Sequence, residues 1–151
     1  MISERGLKLI KTFEGFSPLP YVCVAGKKTI GYGHVLLPDE SYPCGLNEET
    51  ALEILQKDVR IAEKTVLKSV QVPLNQNQFD ALVSFVFNVG SRNFTHSTLL
   101  RCLNAGLYED CPAEIMRWVY VSGNVNAGLM RRRKAEAELF KKTRLYGKGK
   151  K

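Results

Sequence analysis

The strongest constraint on what this chain can fold into is the stretch between Asn75 and Gly90, which is apolar on nearly every side. Phe79, Leu82, Val83, Phe85, Val86 and Phe87 do not fall on one face at helical spacing. A helix built from them has no side to offer to water, so other elements must surround it. Asn75 with Gln78 matches a capping box and Gly90 a helix stop, so the spacing predicts a helix from there to Asn88. The chain of 151 residues, 44% hydrophobic and 25% charged, is long enough to wrap such a helix in one compact domain or in two small lobes sharing a core.

The surrounding elements follow from periodicity and breakers. Ser3 can cap a helix running to about Glu14, with Leu7, Ile10 and Phe13 on its apolar stripe and Gly15 as its stop. Pro18 and Pro20 favour extended chain. Residues 21–24 and 28–32 read as two strands around Ala25-Gly26-Lys27, and residues 36–45 as an irregular loop. Asn47 caps a long helix whose Leu52, Leu55, Val59, Ala62 and Val66 recur at helical spacing as far as about Ser69. Shorter helices are expected over residues 97–104 and 112–119, and a last one over 129–142. The sum is one helix, a small β-containing lobe, a connecting helix and an all-helical lobe. Two lobes so joined leave a cleft between them, a favoured place for a substrate.

Composition removes several classes of function. No run of about 18 apolar residues is present, so no transmembrane helix is expected. Met1 to Phe13 lacks the uninterrupted apolar core and cleavage site of a signal peptide, so synthesis in the cytoplasm is expected. Cys23, Cys44, Cys102 and Cys111 match neither a zinc pattern nor a CxxC motif; reduced thiols are expected, with a Cys102–Cys111 bridge after export as the alternative. The net charge of +7 suits any polyanion, but no nucleic-acid-binding signature accompanies it, and nucleic acid is not an expected partner.

Two positions stand out chemically. Glu14 lies four residues after Ile10 and seven after Leu7, on the apolar stripe of the first helix. A carboxylate there either points into solvent past Phe13 or has a partner or a task. Partial burial favours the protonated acid, which is what glycoside cleavage needs to protonate a leaving oxygen. In the hairpin, a three-residue loop would set Cys23 and Thr29 opposite each other with Cβ atoms roughly 4.5–5.5 Å apart, able to hold one water between them. The plainer alternative is a small core thiol and an ordinary strand threonine.

Lys11-Thr12-Phe13-Glu14-Gly15 followed by Thr29-Ile30-Gly31-Tyr32-Gly33-His34 resembles the phage-type lysozymes, the muramidase endolysins. Their pattern of Glu, eight residues, Asp or Cys, five residues and Thr is met by Glu14, Cys23 and Thr29. The likeness continues through Pro73-Leu74-Asn75-Gln76-Asn77-Gln78-Phe79-Asp80-Ala81-Leu82, Phe87-Asn88-Val89-Gly90, and Arg131-Arg132-Arg133 with Glu136, Leu139 and Phe140. It implies an α+β, mainly helical, lysozyme-like fold. The single domain would comprise a small lobe over 14–46, a connecting helix over 47–70, and a helical lobe over 71–146 packed with helix 1–13, followed by a basic tail at 147–151. It implies hydrolysis of the β-1,4 bond between N-acetylmuramic acid and N-acetylglucosamine in peptidoglycan, by a monomer without cofactor or metal.

The resemblance also assigns roles. Glu14, Cys23 and Thr29 would be catalytic, and Asn88, Gly33 and Arg132 would serve the substrate side of the cleft. Arg132 would pair with Glu14, favouring its carboxylate and opposing the effect of burial. His34 would partner a buried Asp58 and tie the hairpin to the long helix. Other settings remain open at this stage: a helix C-cap for Asn88, a core position rather than a sugar platform for Trp118, and a solvated face for the arginines other than Arg132. His96 reads as a surface residue. Many relatives carry Asp where this chain has Cys23, and a thiol beside a carboxylate is expected to resist ionisation. A weak water-activating side leaves a lytic transglycosylase, with Glu14 as sole acid/base and 1,6-anhydro products, as the second enzymatic reading. An inactive glycan-binding module is the reading of another class. The basic residues from Lys141 to Lys151 read as a solvated tail or as a contact for anionic outer-membrane or wall polymer. Release through a holin-type membrane lesion is the expected route from the host cytoplasm to the wall.

Overall fold

The computed structural model describes residues 1–23 and 25–142. Val24, expected to close the first strand, and the basic tail from residue 143 on lie outside the described residues. The chain runs α1 (Glu4–Glu14), β1 (Ser17–Val22), β2 (Lys28–Gly31), β3 (His34–Val35), α2 (Glu48–Ser69), α3 (Gln76–Val89), α4 (Ser91–Thr95), α5 (Thr98–Asn104), a 3-10 turn at Tyr108–Asp110, α6 (Cys111–Ile115), β4 (Tyr120–Val121), β5 (Asn124–Val125) and α7 (Ala127–Lys141). The architecture is α+β and mainly helical, as expected.

α3 is the centre. Residues 79–86 are all buried, and α7, α2 and α1 pack around them. The capping box forms as read: the Asn75 side chain accepts from Gln78 N–H and the Gln78 side chain accepts from Asn75 N–H. Ser3 and Asn47 cap α1 and α2 with single side-chain bonds, accepting from Gly6 N–H and Thr50 N–H. On α2 the stripe Leu55, Val59, Ala62 and Val66 is buried, while Leu52 is only half-buried. Trp118 meets the Phe85 ring edge-on at 5.8 Å, which is the core setting rather than a sugar platform. His96 is exposed.

The structure corrects several boundaries. β1 begins at Ser17, not Tyr21, and an irregularity between Ser17 and Tyr21 takes up the two prolines on an edge strand. β2 ends at Gly31, and a third strand, β3, follows it. α6 stops at Ile115 instead of running to Val119, and a second hairpin, β4–β5, follows. That hairpin turns on Ser122 and Gly123, whose φ angles of 50° and 82° are those of a type I′ turn. α7 starts at Ala127, two residues earlier than expected, because Asn126 caps it by accepting from Leu129 N–H. All four cysteines are free thiols, and burial pushes Cys111 up to about 12.

The sheet is tied to α2 through His34. Its Nδ1 lies 2.7 Å from Asp58 Oδ2, and its Nε2 lies 2.9 Å from Glu40 Oε1, a partner the sequence reading did not include. Asp58 is half-buried rather than buried, with a quarter of its side chain exposed. With a carboxylate on each nitrogen, the ring is suited to donate from both, as imidazolium. Burial pulls the imidazole down, but the hydrogen bonds and charges of Asp58 and Glu40 outweigh it and raise it above 6.5. A folded-state value above the unfolded one gives stability that is full below the unfolded value and is lost as pH rises through the folded one. The stability gap between wild type and His34→Gln is therefore expected to be larger at about pH 5.5 than at about pH 8.5, read from urea midpoints. An equal gap at both values would remove the charged clamp.

Candidate active site

Glu14 sits in the last turn of α1, and the other end of that helix is bolted to α3. Asp80 is fully buried and accepts from Ser3 N–H at 3.0 Å, from the Ser3 hydroxyl, and from Gln76 Nε2 at 2.7 Å. Glu63 of α2 accepts from Ile2 N–H at 2.5 Å. Ile10, fully buried, seats the middle of α1 in the core. Gly15 then breaks the helix, its N–H donating to Lys11 O at 2.9 Å, and leaves the Glu14 carboxyl 17% exposed at the cleft.

The carboxyl meets α7 there. Arg132 Nη1 donates to Glu14 Oε2 at 2.5 Å, the pairing expected from the resemblance. Arg132 is itself buried; its Nε donates to Glu136 Oε2 at 3.2 Å and its Nη2 to Ser84 O at 3.2 Å. Arg133 corrects the expectation of a solvated side chain, since it is fully buried. Its Nε lies 3.0 Å from Glu136 Oε1, its guanidinium rides 5.0 Å from the Phe85 ring centroid, and its Nη2 donates to Asn88 Oδ1 at 2.6 Å. Burial pulls Arg133 down to about 10, with Glu136 and Glu14 opposing, so it stays a cation at neutral pH. Asn88 is thus not a C-cap: its oxygen is held by Arg133 and its side chain is exposed beside the cleft.

The other wall is the β1–β2 hairpin. Its register pairs Tyr21 with Thr29 and Val22 with Lys28, and Cys23 N–H donates to Lys27 O at 2.9 Å. Cys23 therefore stands opposite Lys27 and not opposite Thr29, two residues off the expected register. The two side chains still meet diagonally on one face. The Thr29 hydroxyl, then the backbone at Lys27, draw the Cys23 thiol below its ordinary range, contrary to the expectation that a carboxylate would push it up. Thr29 is buried, and its hydroxyl also reaches Lys27 O at 3.0 Å. Tyr21 lies between the groups: burial first, then the charges of Glu14 and Cys23, raise its phenol.

Gly33 takes an unexpected place. It has a φ of 73°, and a Cβ there would overlap the Glu14 carboxyl at Oε1. The residue expected to contact substrate instead clears the space in which the carboxyl rests. One oxygen of Glu14 is held by Arg132 and the other lies against Gly33.

Glu14, Cys23, Thr29, Gly33, Asn88 and Arg132 all line one cleft of about 1370 Å³ between the hairpin and the helices. Among the described residues no group of His, Cys, Asp and Glu is arranged to hold a metal ion. Ser84 and Glu40 support the site without having been singled out from sequence, Asp80 and Glu136 had appeared only within motifs, and Arg133 had been read as solvated. A signal for Glu136 did exist, since it falls three and four residues after Arg133 and Arg132, the spacing of helical ion pairs.

Residues 11–136 match the model of the phage lysozyme family. An endolysin of Acyrthosiphon pisum secondary endosymbiont phage 1 is 41% identical over 145 residues, covering 92% of this chain and 97% of that protein. An endolysin of Bacillus phage B103 is 42% identical over 142 residues, again over 92% of this chain, but the chain spans only 53% of that relative's length. In three dimensions the muramidase domain of SpmX from Asticaccaulis excentricus is similar with a TM-score of 0.84 and 37% identity, over 94% of this chain and 98% of that one. The chain belongs to the phage lysozyme family.

Proposed function

We propose that this protein is a lysozyme that hydrolyses the β-1,4 bond between N-acetylmuramic acid and N-acetylglucosamine in bacterial peptidoglycan, lysing the host cell at the end of a phage cycle. The observation that carries the reading is the setting of Glu14: a partly buried carboxyl at the cleft, one oxygen on Arg132 and the other against Gly33, with Thr29 and Cys23 on the facing wall. The endolysin relatives and the family match support it.

In this reading protonated Glu14 gives its proton to the glycosidic oxygen as the bond from that oxygen to the muramic anomeric carbon breaks. A water held by the Thr29 hydroxyl and the Cys23 thiol on the opposite face adds its oxygen to that carbon; its proton leaves by way of the Cys23 sulfur to solvent, and Glu14 takes a proton back from solvent. Asn88, with its oxygen occupied by Arg133, offers Nδ2–H to an oxygen of the sugar. The protein is made in the host cytoplasm and reaches the wall through a separate membrane lesion; no described helix is long and apolar enough to cross a membrane.

Glu14→Gln is expected to slow the clearing of permeabilised Gram-negative cells by about 10²–10⁴-fold, the usual worth of a general acid. Equal clearing would exclude Glu14 as that acid. Mass spectrometry of the wall digested by wild type is expected to show reducing ends, and 1,6-anhydro ends would replace hydrolysis with transglycosylation. Cys23→Asp is expected to keep most of the activity and Cys23→Ser to lose at least about tenfold, since serine ionises far less readily than either group. A dead Cys23→Asp beside an active Cys23→Ser would remove Cys23 from water activation. Gly33→Ala, which displaces the Glu14 carboxyl, is expected to cost about 10²-fold in kcat with the fold retained by circular dichroism. Full activity there would show that the position of the carboxyl is not critical.

A further inference from the structure

We propose that Glu136, which reaches neither the cleft nor the substrate, is a positioning residue that governs both the proton donor and the substrate-facing amide through two adjacent arginines. The inference rests on the reading of Glu14 as the acid and of Asn88 as a sugar contact.

Glu136 is fully buried in the middle of α7. Its Oε2 accepts from the Ser84 hydroxyl at 2.6 Å and from Arg132 Nε at 3.2 Å, and its Oε1 faces Arg133 Nε at 3.0 Å. The far ends of the same two guanidinium groups reach out to the site: Arg132 Nη1 holds Glu14, and Arg133 Nη2 holds Asn88 Oδ1 at 2.6 Å. Each guanidinium is planar and has Glu136 at its inner end, Arg132 through a hydrogen bond and Arg133 through the proximity of opposite charges alone. Through the second, the Asn88 oxygen is engaged by Arg133 and the amide is oriented with its Nδ2–H free to donate, which suits a carbonyl or hydroxyl oxygen on the sugar.

Through the first the effect is electrostatic. The charged groups facing Glu14 are Arg132 and Arg133 of α7, with the Tyr21 phenol of β1 and the Cys23 thiol of the hairpin beyond it. Those facing Glu136 are the same two arginines, with the uncharged Ser84 from α3. Without an anion at 136, two buried cations would confront a single carboxyl and hold it ionised, which removes a proton donor. With Glu136 charged, the pull of Arg132 is shared between two carboxyls, and the Glu14 carboxylate is favoured less. Burial raises the Glu136 carboxyl above its ordinary range, and the charges of Arg133 and Arg132 with the hydrogen bonds from Ser84 and Arg132 oppose that rise; the two guanidinium groups at its oxygens are the partners of a carboxylate. The isosteric Glu136→Gln variant therefore removes the charge but keeps the shape.

In the full chain, ¹³C carboxyl NMR is expected to show the titration midpoint of Glu14 falling by about one pH unit in Glu136→Gln, the size set by one charge lost several ångströms away. The alkaline limb of kcat/KM should move down with it, and KM should rise severalfold as Asn88 loosens. Ser84→Ala, which removes one hydrogen bond to the Glu136 carboxylate, should move the midpoint the same way by less, and it carries the test if Glu136→Gln does not fold. A Glu14 midpoint and a KM unchanged in both variants would overturn the proposal. Full activity of Glu14→Gln would instead overturn the acid assignment, and the NMR midpoint would still report the coupling.

Discussion

Three charged side chains of α7 are buried against α3, and the fold is organised around placing opposite charges and polar groups beside them. Arg132, Arg133 and Glu136 are each almost wholly removed from water. Taking an ion from water into a protein interior costs several kcal/mol, and it is repaid only when a partner stands in the right place. The partners here come from three elements: Glu14 from α1, Ser84 and Asn88 from α3, and Glu136 from α7 itself. Any shift of α7 along α3 would strand one of these charges. The cleft wall is therefore stiff for an electrostatic reason, beyond the packing of its apolar side chains.

The facing wall is held differently. The three-stranded sheet is small, and several of its apolar side chains, including Leu19, Val22, Val35 and Leu37, are exposed. Its attachment to α2 runs through His34, with Asp58 on one nitrogen and Glu40 on the other. α1 belongs to both walls. Its start is fixed by Asp80 and Glu63 deep in the helical part, and its end delivers Glu14 to where the sheet begins. Glu14 thus stands on the side fixed by buried charges, and Cys23 and Thr29 stand on the side tied to α2 by the His34 clamp and by the Tyr32 hydroxyl donating to Glu48 Oε2 at 2.6 Å.

Much of this was legible in the sequence because it rests on local rules. The capping box at Asn75, the caps at Ser3 and Asn47 and the stop at Gly90 depend on a few consecutive residues, and they form as read. The Glu14–Arg132 contact spans 118 positions and came only from the resemblance. What stayed hidden depends on the third dimension. Arg133 sits in a basic run that looks solvated, and only the placement of Phe85, Asn88 and Glu136 around it makes burial tolerable. The register at Cys23 was missed by two residues, since it depends on where the hairpin loop closes. Gly33 was assigned to the substrate side by the resemblance alone; its positive φ and its approach to Glu14 are visible only in the fold. The β4–β5 hairpin, two residues per strand, is too short to leave a periodicity.

The cysteine in the Glu–Cys–Thr constellation bears on the same charge balance. An aspartate at position 23 would be ionised throughout the neutral range and would add a second negative charge to the cleft. A thiol, even drawn toward thiolate by Thr29, carries less. The Tyr21 phenol, raised first by burial, also feels the charges of both Glu14 and Cys23. The facing wall, where Lys27 also lines the cleft, then has less negative charge, and on the helical wall Arg132 and Arg133 stand between the Glu14 carboxyl and Glu136. A chain that gives up a carboxylate on one side of the cleft depends more heavily on the buried carboxylate behind the other.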